Sequence, residues 1–210
     1  MNRVILLAGI LAASGLMSNV ASAASMSYFL DQSNDLPNGV NYATVTIDDE
    51  GIAGYINFIV TVDESAFPQP LSNFGMQSFH FNYDEALDVS EANVVDIDPS
   101  SWDVNDMGKN AGGGFGKFDI QATGDGSTRT SILTFSIADV IGDTISSYAL
   151  GNADDSGEFF ATHIAGYDDS LTDQTSGKFA GSTPVPVPAA VWLFGSGLGL
   201  LGWLRRRRIS

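Results

Sequence analysis

Apolar residues recur at every second position in several short runs of this chain, and that period of two restricts the fold more than any other feature. In Ile56-Asn57-Phe58-Ile59-Val60-Thr61-Val62, the residues Ile56, Phe58, Val60 and Val62 fall on one side of an extended strand. Phe79, Phe81 and Tyr83 share a face in the same way, as do Phe118, Ile120 and Ala122, and Leu133, Phe135 and Ile137. A helix would scatter these side chains around its axis, whereas a strand gathers them, so each run predicts a strand with one buried side. Residues 40–47, 87–89 with 94–97, and 158–166 are further strand candidates. Turn chemistry separates the runs: Pro37-Asn38-Gly39, Asp49-Glu50-Gly51, Gly124-Asp125-Gly126 and Asp155-Ser156-Gly157. The clearest hairpin runs from 118–122 through the turn at 124–127 into 130–137. About eight short strands at this spacing predict an all-β fold, a single antiparallel β-sandwich of jelly-roll-like type. Helix is expected only in the two terminal segments, apart from a turn near 138–141 or 145–150.

Composition agrees with a loop-rich β protein. Of the 25 acidic residues, all of which lie between Asp31 and Asp173, 20 are Asp, which favours turns and strand ends over helix interiors. Between residues 24 and 183 the only cations are Lys109, Lys117, Lys178 and Arg129, giving that body a formal charge of −21. Such a field repels nucleic acid and anionic membranes. No cysteine is present, which removes disulfides, metal thiolates and a thiol nucleophile together. The body therefore relies on one hydrophobic core, and its length suits one domain.

Both ends have a different character. Residues 1–23 carry one basic residue, Arg3, then an apolar stretch from Val4 to Leu16, then Val20-Ala21-Ser22-Ala23. That order predicts a secretory signal peptide, with Ala21 and Ala23 as the small residues signal peptidase needs and cleavage after Ala23. At the other end, Pro184-Val185-Pro186-Val187-Pro188-Ala189 precedes an uncharged run from Ala189 to Leu204 and then Arg205, Arg206, Arg207 and Arg208. As a helix, residues 189–204 would extend roughly 24 Å, a marginal transmembrane span. Four arginines resist translocation and mark a cytoplasmic end, which places the body outside the cytoplasm.

This tail resembles the PEP-CTERM sorting signal of Gram-negative bacteria in its VPLPA-type variant. The likeness covers about 25 residues and lies in their order, a proline motif followed by a short apolar helix and an arginine cluster. The glutamate of the family's eponymous motif is missing, and Val187 stands where the variant usually carries leucine. The resemblance implies recognition by an exosortase-like membrane protease-transpeptidase and cleavage near Val185 to Ala189. It also implies a precursor held in the inner membrane by its C-terminal helix, with the body in the periplasm, and later transfer to the cell surface or an exopolysaccharide matrix. NYATVTI near residue 41, FGKF, and FFATHIAGYDD before SGKFAGS resemble, more weakly, the small β domains that often precede this tail; no activity attaches to that likeness. The division expected is a signal peptide over 1–23, a sandwich over 24–169, a spacer over 170–183 and a sorting signal over 184–210.

The body offers little catalytic chemistry. His80, in Ser78-Phe79-His80-Phe81-Asn82, alternates with aromatics and is expected on an exposed face, and His163 is expected half-buried. There is no G-x-S-x-G elbow, no H-E-x-x-H and no nucleotide fingerprint in the body. Calcium is the one cofactor candidate, because Asp96, Asp98, Asp103, Asn105 and Asp106 place hard oxygen ligands within eleven residues, although without EF-hand spacing. Ala111-Gly112-Gly113-Gly114-Phe115-Gly116 is expected to be a flexible connection. The expectation is a non-enzymatic exported surface or matrix protein; a calcium-assisted carbohydrate-binding or adhesive module and a secreted hydrolase are the alternatives.

Overall fold

The computed structural model describes residues 24–50, 52, 54–106, 108–151, 157–169 and 174–185. The expected signal peptide and all of the expected sorting signal beyond Val185 lie outside the described residues. No described helix is long and apolar enough to cross a membrane. The strands are β1 (Ser25–Leu30), β2 (Gln32–Ser33), β3 (Ala43–Asp48), β4 (Tyr55–Val62), β5 (Pro70–Phe81), β6 (Val94–Asp98) and β7 (Asp103–Asn105). They continue as β8 (Lys109–Asn110), β9 (Lys117–Phe118), β10 (Ile120–Thr123), β11 (Ile132–Ala138), β12 (Phe160–Asp169), β13 (Gln174–Gly181) and β14 (Thr183–Pro184).

Two six-stranded antiparallel sheets carry the fold. The first runs in the order β14-β1-β3-β4-β11-β6 and the second in the order β2-β13-β12-β5-β10-β7, while β8 and β9 form a separate ribbon. The period-two runs fix how the sheets face each other. Ile56, Phe58, Val60 and Val62 on β4 and Leu133, Phe135 and Ile137 on β11 are all buried, and they meet Phe79, Phe81, Ile120 and Phe160 of the second sheet in one core. Phe58 and Phe135 are register partners stacked with ring centroids 4.6 Å apart, and Phe58 reaches Phe81 across the gap at 5.0 Å. At the other end of the core, Phe67 packs on Tyr42 at 5.3 Å and on Phe179 at 5.2 Å. A short 3-10 turn at Ile145–Tyr148 buries Tyr148 against Phe58.

Three expectations need correction. The stretch 118–137 is no hairpin: β10 pairs with β5 and β7 in the second sheet, whereas β11 pairs with β4 and β6 in the first. The turn between them is an arch from sheet to sheet. Asp125 caps it by accepting from the Ser127 and Thr128 amides, and the buried indole of Trp102 donates to the Thr128 carbonyl at 2.8 Å. Second, Phe118 does not share a face with Ile120 and Ala122; the chain bends at Asp119, and Phe118 is buried in a different cluster. Third, the expected spacer contains β13, which lies between β2 and β12 and buries Phe179 and Ala180. The body thus extends to β14, whose Thr183 and Pro184 pair with Phe29 and Tyr28 on the edge strand β1.

Since Phe58 touches rings from both sheets, Phe58→Ala is expected to lower unfolding free energy by about 3–5 kcal/mol, read as a shift of the urea midpoint with unchanged slope.

Candidate functional site

Alternation that sends Phe79 and Phe81 into the core turns Ser78 and His80 to the opposite face of the second sheet. The same rule places Ala161 and His163 of β12 and Lys178 and Ala180 of β13 on that outer face. Register aligns them in rows. His80 stands opposite Ala161, which stands opposite Ala180, and the next row runs Ser78, His163, Lys178. Two alanines side by side leave a hollow, and the segment 108–118 fills it. The ribbon β8–β9 folds back through a glycine-rich tip, with the Ala111 amide donating to the Gly116 carbonyl at 2.9 Å. Ala111, Phe115 and Phe118 then pack on Ala161 and Ala180 as a second small core. Gly113, at φ +66°, passes so close to Lys178 that a Cβ would stand 2.7 Å from the lysine Cβ. The tip expected to be a flexible connection is a cap.

The cap explains why the expectation for His80 fails. Its ring is only 1% exposed, with the ring of Phe118 centred 5.9 Å away. Burial lowers the His80 pKa from 6.5 to about 3, with smaller contributions from Lys178 and His163. Nε2 lies 3.1 Å from the Ser78 hydroxyl, while Nδ1 is buried without a hydrogen-bond partner. A Ser–His pair is therefore present, but no carboxylate orients the imidazole and both residues are buried, His80 against Phe118 of the cap. His163 is half-buried, as expected, and its pKa falls to about 4, through burial first and then through Lys178 and Arg129. Burial also lowers Lys178.

Beyond the cap the same face opens into a cleft of about 420 Å³, lined by Leu71, Ser72 and Asn73 of β5, Arg129, His163, Ala165 and Gly166 of β12, and Thr175 and Ser176 of β13. Its floor consists of small residues because the strands approach closely there: a Cβ on Gly166, at φ +87°, would collide with the Asn73 carbonyl. Arg129 is fixed at the rim. Its Nη1 donates to the Asn73 carbonyl at 2.9 Å, and Nε and Nη2 reach Gln77 Oε1 at 3.4 Å each. Neither partner is a carboxylate. A second cleft of about 510 Å³ is lined by Asp84, Glu85 and Asp119 together with Lys117 and Tyr83. There Asp119 accepts from the Tyr83 amide.

The calcium ligand set is not assembled. Asp96 and Asp98 lie on β6 of the first sheet, whereas Asp103 and Asn105 lie on β7 of the second. Asp96 accepts from the Tyr55 hydroxyl, Asn105 donates to Gln121, and Asp106 accepts from the Glu91 amide. Among the described residues, no three acidic or histidine side chains are grouped so as to hold a metal ion. Of the sorting motif, Pro184 and Val185 are described and lie at the β1 edge, with the Val185 amide donating to the Ser27 carbonyl at 2.9 Å. Pro186, Val187, Pro188, Ala189, Arg205 to Arg208, Ala21 and Ala23 lie outside the described residues. Nothing in the sequence marks Arg129, Thr175 and Ser176 as site residues. They belong to a turn and a strand start without a motif, and only the bend of the sheet brings them together.

The chain matches no protein-family model, no curated protein and no solved structure.

A folded-state pKa below the unfolded one means that protons bind the unfolded chain preferentially between pH 6.5 and about 3. The His80 contribution is complete above 6.5 and is lost as pH falls through that window. His80→Gln removes it, so the stability advantage of wild type over the variant is expected to shrink by about 2–3 kcal/mol between pH 7 and 4.5. Urea titrations of both proteins at the two pH values check this.

Proposed function

We propose that this protein is exported, held in the inner membrane by its C-terminal helix with its body in the periplasm, and processed in its tail by an exosortase-like enzyme. Its body then resides at the cell surface or in an exopolysaccharide matrix as a non-enzymatic β domain. The observation that carries this reading is the order of features in the tail, from Pro184 through the uncharged run at 189–204 to Arg205–Arg208. The arrangement of the body supports it. Ala24 leads into β1 on the side of β3, where its backbone nitrogen donates to Asp49 Oδ1 at 2.8 Å, and Val185 is bonded to Ser27 on the opposite, outer side of the same strand. Cleavage after Ala23 would turn that nitrogen into an ammonium already facing a carboxylate. The non-enzymatic reading is supported by the buried Ser78–His80 pair, which has neither an orienting acid nor access for a substrate.

Intact mass of the protein recovered from its native cells tests the sorting reading. The expected species begins at Ala24 and ends between Val185 and Ala189; a species that keeps Arg205–Arg208 overturns it. The new N-terminus has its own signature. Asp49→Asn is expected to destabilise the chain that starts at Ala24 by about 1 kcal/mol more than the uncleaved chain, measured by thermal melting of both forms.

A further inference from the structure

We propose that the cleft over Ala165 on the outer face of the second sheet binds a carboxylated sugar unit of an acidic polysaccharide, with Arg129 as the partner of the carboxylate. The inference deepens the matrix reading above and rests on it for the identity of the polymer.

Charge placement gives the first reason. The body holds 25 acids and only four cations, yet Arg129 and Lys178 both bear on His163. In a chain so rich in carboxylates, a guanidinium whose partners are a backbone carbonyl and a glutamine amide is conspicuous. Those contacts use three of the five guanidinium N–H groups, and two remain to grip a carboxylate while Gln77 and Asn73 hold the plane. The long-range repulsion from the acids is screened within roughly 8 Å at physiological salt, so the local cation decides.

The lining defines the rest of the ligand. Ser176, the register partner of Ala165 and on the outer face with Lys178, offers a hydroxyl that donates and accepts, and His163, neutral at pH 7, can do either. Leu71, half exposed at the rim, offers an apolar surface to the C–H face of a ring. One fixed positive group, several neutral hydrogen-bonding groups and one apolar edge suit a hydroxyl-rich ligand with a single negative charge. A phosphate dianion would ask for more cations than Arg129 alone supplies, and its second charge would meet the field of a −21 body.

Isothermal titration of the full chain in detergent with an oligogalacturonate trimer, a neutral galactose trimer and acetate tests the assignment. Saturable binding is expected for the acidic trimer only, weakened at least tenfold in Arg129→Gln, which leaves the core untouched. Binding of the neutral trimer or of acetate with equal affinity, no binding of the acidic trimer at millimolar concentration, or an Arg129→Gln protein that binds as wild type overturns the proposal. Should that variant fail to fold, amide shifts in the wild-type protein decide: shifts at His163, Thr175 and Ser176 support the site, and shifts confined elsewhere overturn it. Failure here with a correctly trimmed mass refutes the cleft alone, whereas binding by a protein that keeps its arginines refutes only the sorting.

Discussion

Everything in this fold depends on the rings that meet between the two sheets. Phe58 contacts Phe135 of its own sheet and Phe81 of the other, and Phe79 and Phe160 extend the stack. Because side chains alternate with a period of two, a slip of one residue on β4 or β5 would turn these rings to water. Register is therefore fixed by the core, and once it is fixed the outer face has no freedom left. Ser78, His80, Ala161, His163, Lys178 and Ala180 occupy that face because Phe79, Phe81, Phe160 and Phe179 must occupy the other.

The outer face of a sandwich normally contacts solvent, and here part of it does not. Ala161 and Ala180 are too small to cover the sheet, and Phe115 and Phe118 on the glycine-rich ribbon cover it instead. This second core carries a polar penalty, since His80 is enclosed with Nδ1 unpaired. The imidazole answers by staying neutral, the only state its surroundings tolerate. Where the cap ends, the small residues continue as Ala165 and Gly166, and the uncovered hollow becomes the cleft. Cap and cleft thus share one cause, a strip of minimal side chains along β12 and β13.

What the sequence discloses follows the range of the interactions involved. Strands β3, β4 and β11 are visible in it because alternation is local. The arch at 124–127 is not, since Gly-Asp-Gly chemistry serves a hairpin and a sheet crossing equally, and the choice is made by distant partners: the Gly124 amide donates to the Gln77 carbonyl, and Trp102 holds Thr128. Strand β13 escapes detection for a different reason. Gly177 and Gly181 interrupt its pattern because Tyr167 and the Phe29 backbone already fill the space their side chains would need. His80 carries no local sign of burial, because the cover arrives from some thirty residues downstream. The cleft draws on four separated segments, and of its members only His163 stands out in a linear reading.

The edge formed by β1 and β14 bears on how the tail could be cut. A spacer would leave the proline motif exposed, whereas Thr183 and Pro184 lie in the sheet and Val185 is hydrogen-bonded to Ser27. Proline suits that outermost position because it has no amide to offer, and an edge strand needs none on its solvent side. For a protease acting between Val185 and Ala189, the attachment is slight. Beyond the β14 ladder it consists of the Val185 amide bond and the Thr183 hydroxyl bond to Asp31, each with a net value of about 1 kcal/mol. Peeling β14 away withdraws no buried side chain from the core, as Thr183 and Pro184 are themselves exposed. On the processing proposed above, the same few bonds that finish the sheet would yield without unfolding the body and would be free to close again over β1.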